Sequence, residues 1–198
     1  MATDIQQVIG NVKKQYKMDN RVVITAGAGG GQFVDYYETA AHIYGIEKEE
    51  TAMAMLKNKI EEKGLEGKYE CIQSDYFDIE IKGDVVVFEF SLHEMNDIKK
   101  AMEKGKKIAQ EILIIDHSWK SEWITYVDEV EKVERVKEYI DRNKPKKIEH
   151  FSGIQKFKDY NELKEKVKIQ GKKALDSIEK FMGQKNIKIE FGYMVVQY

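Results

Sequence analysis

The sequence predicts an α/β fold with a doubly wound, mostly parallel sheet, on three observations. Five short, largely apolar runs recur through the first 118 residues, helical stretches alternate with them, and a glycine cluster directly follows the first run. Continuous apolar runs, as opposed to strict apolar–polar alternation, mark strands covered on both faces, as in a parallel sheet flanked by helices.

Taken in order, Thr3 to Tyr16 reads as a short amphipathic helix with Ile5, Val8, Ile9 and Val12 on one face. The first strand is Val22-Val23-Ile24, and after its glycines a helix is expected over roughly Gln32 to Ala41. His42 to Glu47 reads as the second strand. Glu49 to Lys63 reads as a helix that stops at Gly64, a residue suited to a left-handed C-cap. Tyr69 to Gln73 is the third strand. Asp84 to Phe90 is the most strand-like segment, with Val85, Val86, Val87 and Phe88 in succession. Asn96 is placed to cap a helix running through Ile108, and Ile112 to Asp116 closes the series as the fifth strand.

At 198 residues the chain fits one domain, 1–198, and 42% hydrophobic content supports a packed core. Within it, residues 1–118 read as a ligand-binding core, 119–183 as a helical cap and substrate region, and 184–198 as terminal strand completing the sheet. Charged residues make up 34% but nearly cancel to a net charge of -2. Such a balance exerts no general attraction for nucleic acid or acidic membranes. Among the basic residues only Arg21, Arg135 and Arg142 are arginine, the side chain best shaped to grip phosphate. Cys71 is the sole cysteine, which excludes an intrachain disulfide and a cysteine-based zinc site. Residues 1–20 carry no signal-peptide apolar core, and no run approaches the length of a membrane span. A soluble, cytoplasmic protein is expected.

The chemistry is concentrated in Thr25-Ala26-Gly27-Ala28-Gly29-Gly30-Gly31, between strand and expected helix. Glycines there let the backbone turn sharply and approach a ligand with no Cβ in the way. The spacing discriminates among ligands. A dinucleotide fingerprint beginning at Gly27 requires glycine where Gln32 stands, which disfavours a nicotinamide dehydrogenase. Gly27, Gly29 and Gly31 satisfy G-x-G-x-G instead, and the P-loop pattern is absent.

With these residues in order, residues 20–118 resemble the class I S-adenosylmethionine-dependent methyltransferases. The resemblance implies a Rossmann-like sheet whose glycine loop, Gly27, Gly29 and Gly31, packs under the methionine and ribose parts of the cofactor. It places Glu47, at the end of the second strand, on the ribose hydroxyls. It places Asp75, after the third strand, at the adenine amino group, with Tyr76 or Phe77 against the ring. The segment from Asp84 through Phe90, Ser91, Leu92, His93, Glu94 and Met95 corresponds to the part that borders the reacting methyl. The family commonly has an acid where this chain has Thr25. The Thr25 hydroxyl, or another acid such as Glu89, would then have to meet the methionine amino group.

Methyl transfer is an in-line displacement governed by positioning, and an acceptor that carries a proton also needs a base. His93 is the first candidate for that base, at the exit of the fourth strand, with Glu94 as an alternative. His117, just past the fifth strand, is a candidate for substrate contact. No metal is expected, because His93-Glu94 lacks the second histidine of H-E-x-x-H and position 97 is Asp97.

Beyond the fifth strand, Trp119 to Arg142 reads as a long amphipathic helix with Trp123, Val127, Val130, Val133 and Ile140 inward. A second helical stretch runs from about Lys158 to Met182, weakened at Gly171. Their length suggests a cap over the crevice, with Trp119, Trp123, Tyr126 and Tyr160 either as an aromatic wall for substrate or as ordinary core. Ile187 to Tyr198 reads as one long strand or a bent pair. The expected partner is a small-molecule methyl acceptor, with S-adenosylhomocysteine the spent product. No nucleic-acid or membrane partner is expected, and a homodimer is allowed for. The alternatives are methyl transfer to RNA or protein, and a non-catalytic module that binds the same cofactor.

Overall fold

The structure, a computed structural model, describes residues 5–198, so the expected helix start at Thr3 lies outside the described residues. The chain divides into two compact units. One comprises Ile5–Asp116 with Pro145–Ile148 and Val195–Tyr198; the other comprises His117–Lys144 and Glu149–Met194.

The first unit is built from α1 (Ile5–Gln15), β1 (Val22–Ala26), β2 (His42–Glu47), α2 (Glu50–Glu62), β3 (Tyr69–Gln73), β4 (Val85–Glu89), α3 (Ile98–Ile108) and all but the last residue of β5 (Glu111–His117). Strand β1 pairs in parallel with β4, Val23 opposite Val85, and with β2, Val22 opposite His42; β2 pairs in parallel with β3, Ile43 opposite Tyr69, and β4 with β5, Val85 opposite Glu111. With β6 (Lys147–Asp159) and β7 (Lys185–Gln197) the sheet has seven strands, in the order β3-β2-β1-β4-β5-β7-β6. The end of β7 belongs to the first unit, and within it Tyr198 and Ile112 exchange both backbone hydrogen bonds, N···O 3.0 and 3.5 Å. That mutual exchange is the mark of an antiparallel pair. A doubly wound, mostly parallel sheet is what the apolar runs predicted.

Burial explains why the central strands were legible. Val23, Ile24, Val85, Val86, Val87, Phe88, Leu113, Ile114 and Ile115 are fully buried, so these strands have no solvent face to alternate with. Helix α2 presents Met53, Leu56 and Ile60 to Ala28 and Val34. Its end closes as a Schellman motif: Gly64, at φ +64°, donates to Glu61 O and Leu65 donates to Ile60 O. Helix α3 is capped by Asp97, whose carboxylate accepts from Lys100 N at 2.9 Å, and not by the expected Asn96. Asp97→Ala is accordingly expected to cost about 1 kcal/mol, a fall in Tm of roughly 2–4 °C by thermal melting.

The helix expected over Gln32 to Ala41 is a single 3-10 turn at Val34–Tyr37. Phe33, Val34, Tyr36 and Tyr37 are all buried, and four buried residues out of five do not share one face of a helix.

The second unit holds α4 (Trp123–Tyr126), α5 (Val130–Asn143), α6 (Tyr160–Val167), α7 (Lys172–Ser177) and most of β6 and β7. The long helix expected from Trp119 to Arg142 is broken at Val127–Glu129, where Asp128 takes a left-handed φ of +57° and pairs with Lys173. Val130, expected inward, is exposed, and Val136 is buried with Val133 and Ile140. The stretch from Lys158 to Met182 is likewise divided, by a 3-10 turn and by Gly171 at φ +92°. Trp123 is buried and stacks on Phe157 at 5.8 Å, and buried Tyr126 meets Phe181 edge-on. These rings are packing of this unit, the plainer of the two sequence readings. β6 was not anticipated, whereas the terminal segment is one long strand. No helix of the described residues is long and apolar enough to cross a membrane.

Candidate functional site

The site lies in the first unit, at the C-terminal ends of β1, β2 and β4, where ligands bind in open α/β sheets. β1 leads straight into the glycine loop. Gly27 takes φ +77°, and a Cβ there would fall 2.9 Å from Ser91 Cβ, so only glycine permits the loop to lie against the exit of β4. Gly27 N and Ala28 N both donate to Ile46 O, at 3.0 and 2.9 Å, which fastens the loop to the end of β2. Ser91 Oγ donates to Ala26 O at 2.5 Å and fastens it to the far side.

Glu47 is the keystone of this corner. Its Oε2 accepts from Gly29 N and its Oε1 from Glu49 N, each at 2.9 Å. The carboxylate therefore spans the glycine loop and the start of α2. It is 8% exposed and faces the cleft, and each oxygen retains a second lone pair for a ligand hydroxyl.

The cleft has a volume of about 360 Å³, within the range of small-molecule sites. Gly27, Gly29, Glu47, Asp75, Tyr76, Phe90, Ser91 and Glu94, all expected at the site, line it. Asp75 caps its own turn by accepting from Phe77 N at 2.9 Å, and its side chain is exposed. Tyr76 is buried, donates to Ala101 O at 3.3 Å and has its phenol pKa pushed up by burial.

Four expected residues are placed elsewhere. Thr25 is buried within β1, its hydroxyl 3.5 Å from Tyr44 O, and does not line the cleft. Gly31 lies behind the cleft, where a Cβ would press on Leu56, Lys59 and Val34 at 3.1–3.2 Å. His93 is buried behind the lining, its Nδ1 2.5 Å from Asp116 Oδ1 and its backbone N donating to Asp116 Oδ2 at 3.1 Å. Its Nε2 lies 3.4 Å from Glu94 Oε1, so Glu94 reaches the cleft and His93 stands behind it. His117 belongs to the second unit, buried, with Nε2 3.3 Å from Glu129 Oε2.

Of the apolar walls, Met95 lies in the segment expected to border the reacting methyl, whereas Phe33 and Ile46 were not foreseen. Phe33, Ile46 and Met95 line the cleft, and Phe33 lies 6.0 Å from the Phe90 ring. Of these, Ile46 had one sequence signal, its place beside Glu47 at the end of a strand. Glu89 also lines the cleft; it accepts a hydrogen bond from Tyr37 OH. Burial pushes its carboxyl up to about 8, against the downward pull of that phenol.

Residues 24–111 match the model of a methyltransferase domain family. No curated protein matches the chain. Among solved structures, the chain is similar to the YcgJ protein of Bacillus subtilis, at 12% identity and TM-score 0.72, covering 97% of both chains. It is similar to a SAM-dependent methyltransferase of Aquifex aeolicus, at 17% identity and TM-score 0.57, covering 98% of this chain and 90% of that one. It is also similar to Methanocaldococcus jannaschii Trm5, crystallised with adenosine, at 17% identity and TM-score 0.52, where it covers 100% of itself and 49% of the other. At these identities the structural likeness is one of fold.

Proposed function

We propose that this chain, whose residues 24–111 match a methyltransferase domain model, is an S-adenosylmethionine-dependent enzyme that methylates a small molecule. The observation that carries the small-molecule reading is the charge of the cleft lining. Glu47, Asp75, Glu89 and Glu94 line it against a single cation, Lys48. A phosphate polymer needs cationic contacts along its track, and carboxylates at the site of reaction repel it. The net charge of -2 and the three arginines point the same way.

The residues present fit the cofactor. Glu47 offers two pre-oriented oxygens to a ribose diol, Asp75 an acceptor to an adenine amino group, and Ile46 and Tyr76 apolar surface to its ring. Gly29, with nothing within 4 Å of the position its Cβ would take, leaves room beside the loop. Bound S-adenosylmethionine supplies an already activated methyl group, so the protein has to align the acceptor and accept its proton. Glu94 is the cleft residue placed for that proton. His93, held between Glu94 and Asp116, is a positioning residue that fixes the Glu94 carboxylate from behind.

The test is turnover with S-adenosylmethionine on separate panels of amines, phenols, thiols and carboxylic acids, with RNA and protein alongside, read by mass spectrometry of the methylated product. Methylation confined to a small molecule is the expected result; methylation of RNA or protein alone overturns the reading. On the small-molecule acceptor, Glu94→Gln should lower kcat by about 100-fold and leave cofactor affinity within about twofold. An unchanged kcat removes Glu94 as the base.

A further inference from the structure

The cleft contains a carboxyl group that neither the ribose nor the acceptor chemistry employs. Glu89 ends β4, half-buried, next to Phe90 and Ser91, and lines the cleft together with Gly27. Its bonded partner, Tyr37, is a neutral phenol whose own pKa is driven well up, first by burial and then by the Glu89 charge. Tyr36 and Tyr69 also feel that charge, and both are phenols raised chiefly by burial. The other charged groups of the cleft are Glu47, Asp75, Glu94 and exposed Lys48. Glu89 thus sits in a nest of phenols, able to shed its proton once a positive charge arrives.

Resting on the reading of this cleft as the cofactor site, we infer that Glu89, oriented by Tyr37, is the counter-charge for the cationic methionyl end of S-adenosylmethionine and ionises as that end binds. No covalent bond changes. The carboxyl proton leaves to solvent, and the carboxylate faces the sulfonium and ammonium charges. The pair takes up the task that Thr25, buried against β2, does not perform.

The sign of the pH dependence follows from the position of the group. With the carboxyl pushed up to about 8 by burial, cation binding below that pH must expel a proton. Affinity for S-adenosylmethionine should therefore rise about tenfold per pH unit between pH 5.5 and 7. The neutral adenosyl thioether 5′-methylthioadenosine shares the sugar and base but carries no positive charge, so its affinity should stay flat over the same range.

Calorimetric titration of both ligands into the parent protein, Glu89→Gln and Tyr37→Phe tests this. Glu89→Gln should lose the pH slope and bind S-adenosylmethionine at least tenfold more weakly at pH 7, with 5′-methylthioadenosine affinity retained. Tyr37→Phe, which leaves the carboxyl in place and removes the bond that holds its pKa down, should move the rise to higher pH. A slope that survives in Glu89→Gln, a flat profile in the parent protein, or an unshifted rise in Tyr37→Phe overturns the inference. If the parent protein binds neither ligand, the cofactor reading of the cleft itself is lost.

Discussion

His93→Ala is expected to destabilise the protein by about 3–5 kcal/mol, a fall in Tm of roughly 10 °C or more. His93 and Asp116 are 3% and 0% exposed, with Nδ1 and Oδ1 2.5 Å apart and a second bond from the His93 backbone to the other carboxylate oxygen. Removing the imidazole strips the buried carboxylate of a partner where water has poor access, and the desolvation already incurred is no longer offset. His93→Gln, which keeps a donor on the side chain, should lose less. Thermal unfolding of the two variants checks this. Equal stability of His93→Ala and the parent protein would show that the pair carries no weight in the fold. Activity is to be compared only at temperatures where each variant remains folded, since the positioning role and the structural one act through the same imidazole.

Glu47→Ala should weaken S-adenosylmethionine binding by about 1–3 kcal/mol, roughly 5- to 150-fold. Two losses add. The ligand loses charge-assisted hydrogen bonds, and Gly29 N and Glu49 N lose the carboxylate that orders the loop before the ligand arrives. Glu47→Gln should recover little, because an amide side chain replaces one acceptor oxygen with an NH2 that faces one of those backbone donors. Calorimetric titration measures the loss, and unchanged affinity would remove Glu47 from the site.

The two variants concern residues whose roles differed in how visible they were in the sequence. Glu47 and Asp75 were placed by the family resemblance, which puts acids at the ends of the second and third strands, and strand ends converge on one crevice. The central strands themselves stood out because Val85 to Phe88 and Leu113 to Ile115 have no solvent face. β6 lies at the end of the strand order, and its exposed positions carry Lys147, Lys156 and Lys158, the residues that blunt a sheet edge and also hide its pattern. The relative places of His93 and Glu94 were beyond residue types. A turn that bonds Glu94 N to Ser91 O and Met95 N to Leu92 O sends the first side chain into the core and the second into the cleft. Phe33 reaches the lining only through the folded path of the chain. The break at Asp128 has a similar origin: a left-handed residue between two apolar helical stretches leaves the 3.6-residue rhythm nearly intact in the sequence while the helix itself ends.

The short turn that follows the glycine loop, where a helix was expected, bears on what the cleft turns away. A full helix would aim the positive end of its dipole and a row of free amides at the ligand, an invitation to phosphate groups. Here Val34–Tyr37 makes one 3-10 turn, and the nearby fixed charges are mostly carboxylates. Adenosine triphosphate and the nicotinamide dinucleotides share an adenosine half with the methyl donor, and they are its natural competitors for any pocket that reads only sugar and base. Carboxylates there disfavour a polyphosphate tail and favour a cationic one, so on the proposed reading these rivals are expected to bind more weakly than the methyl donor, through the backbone conformation as much as through any side chain.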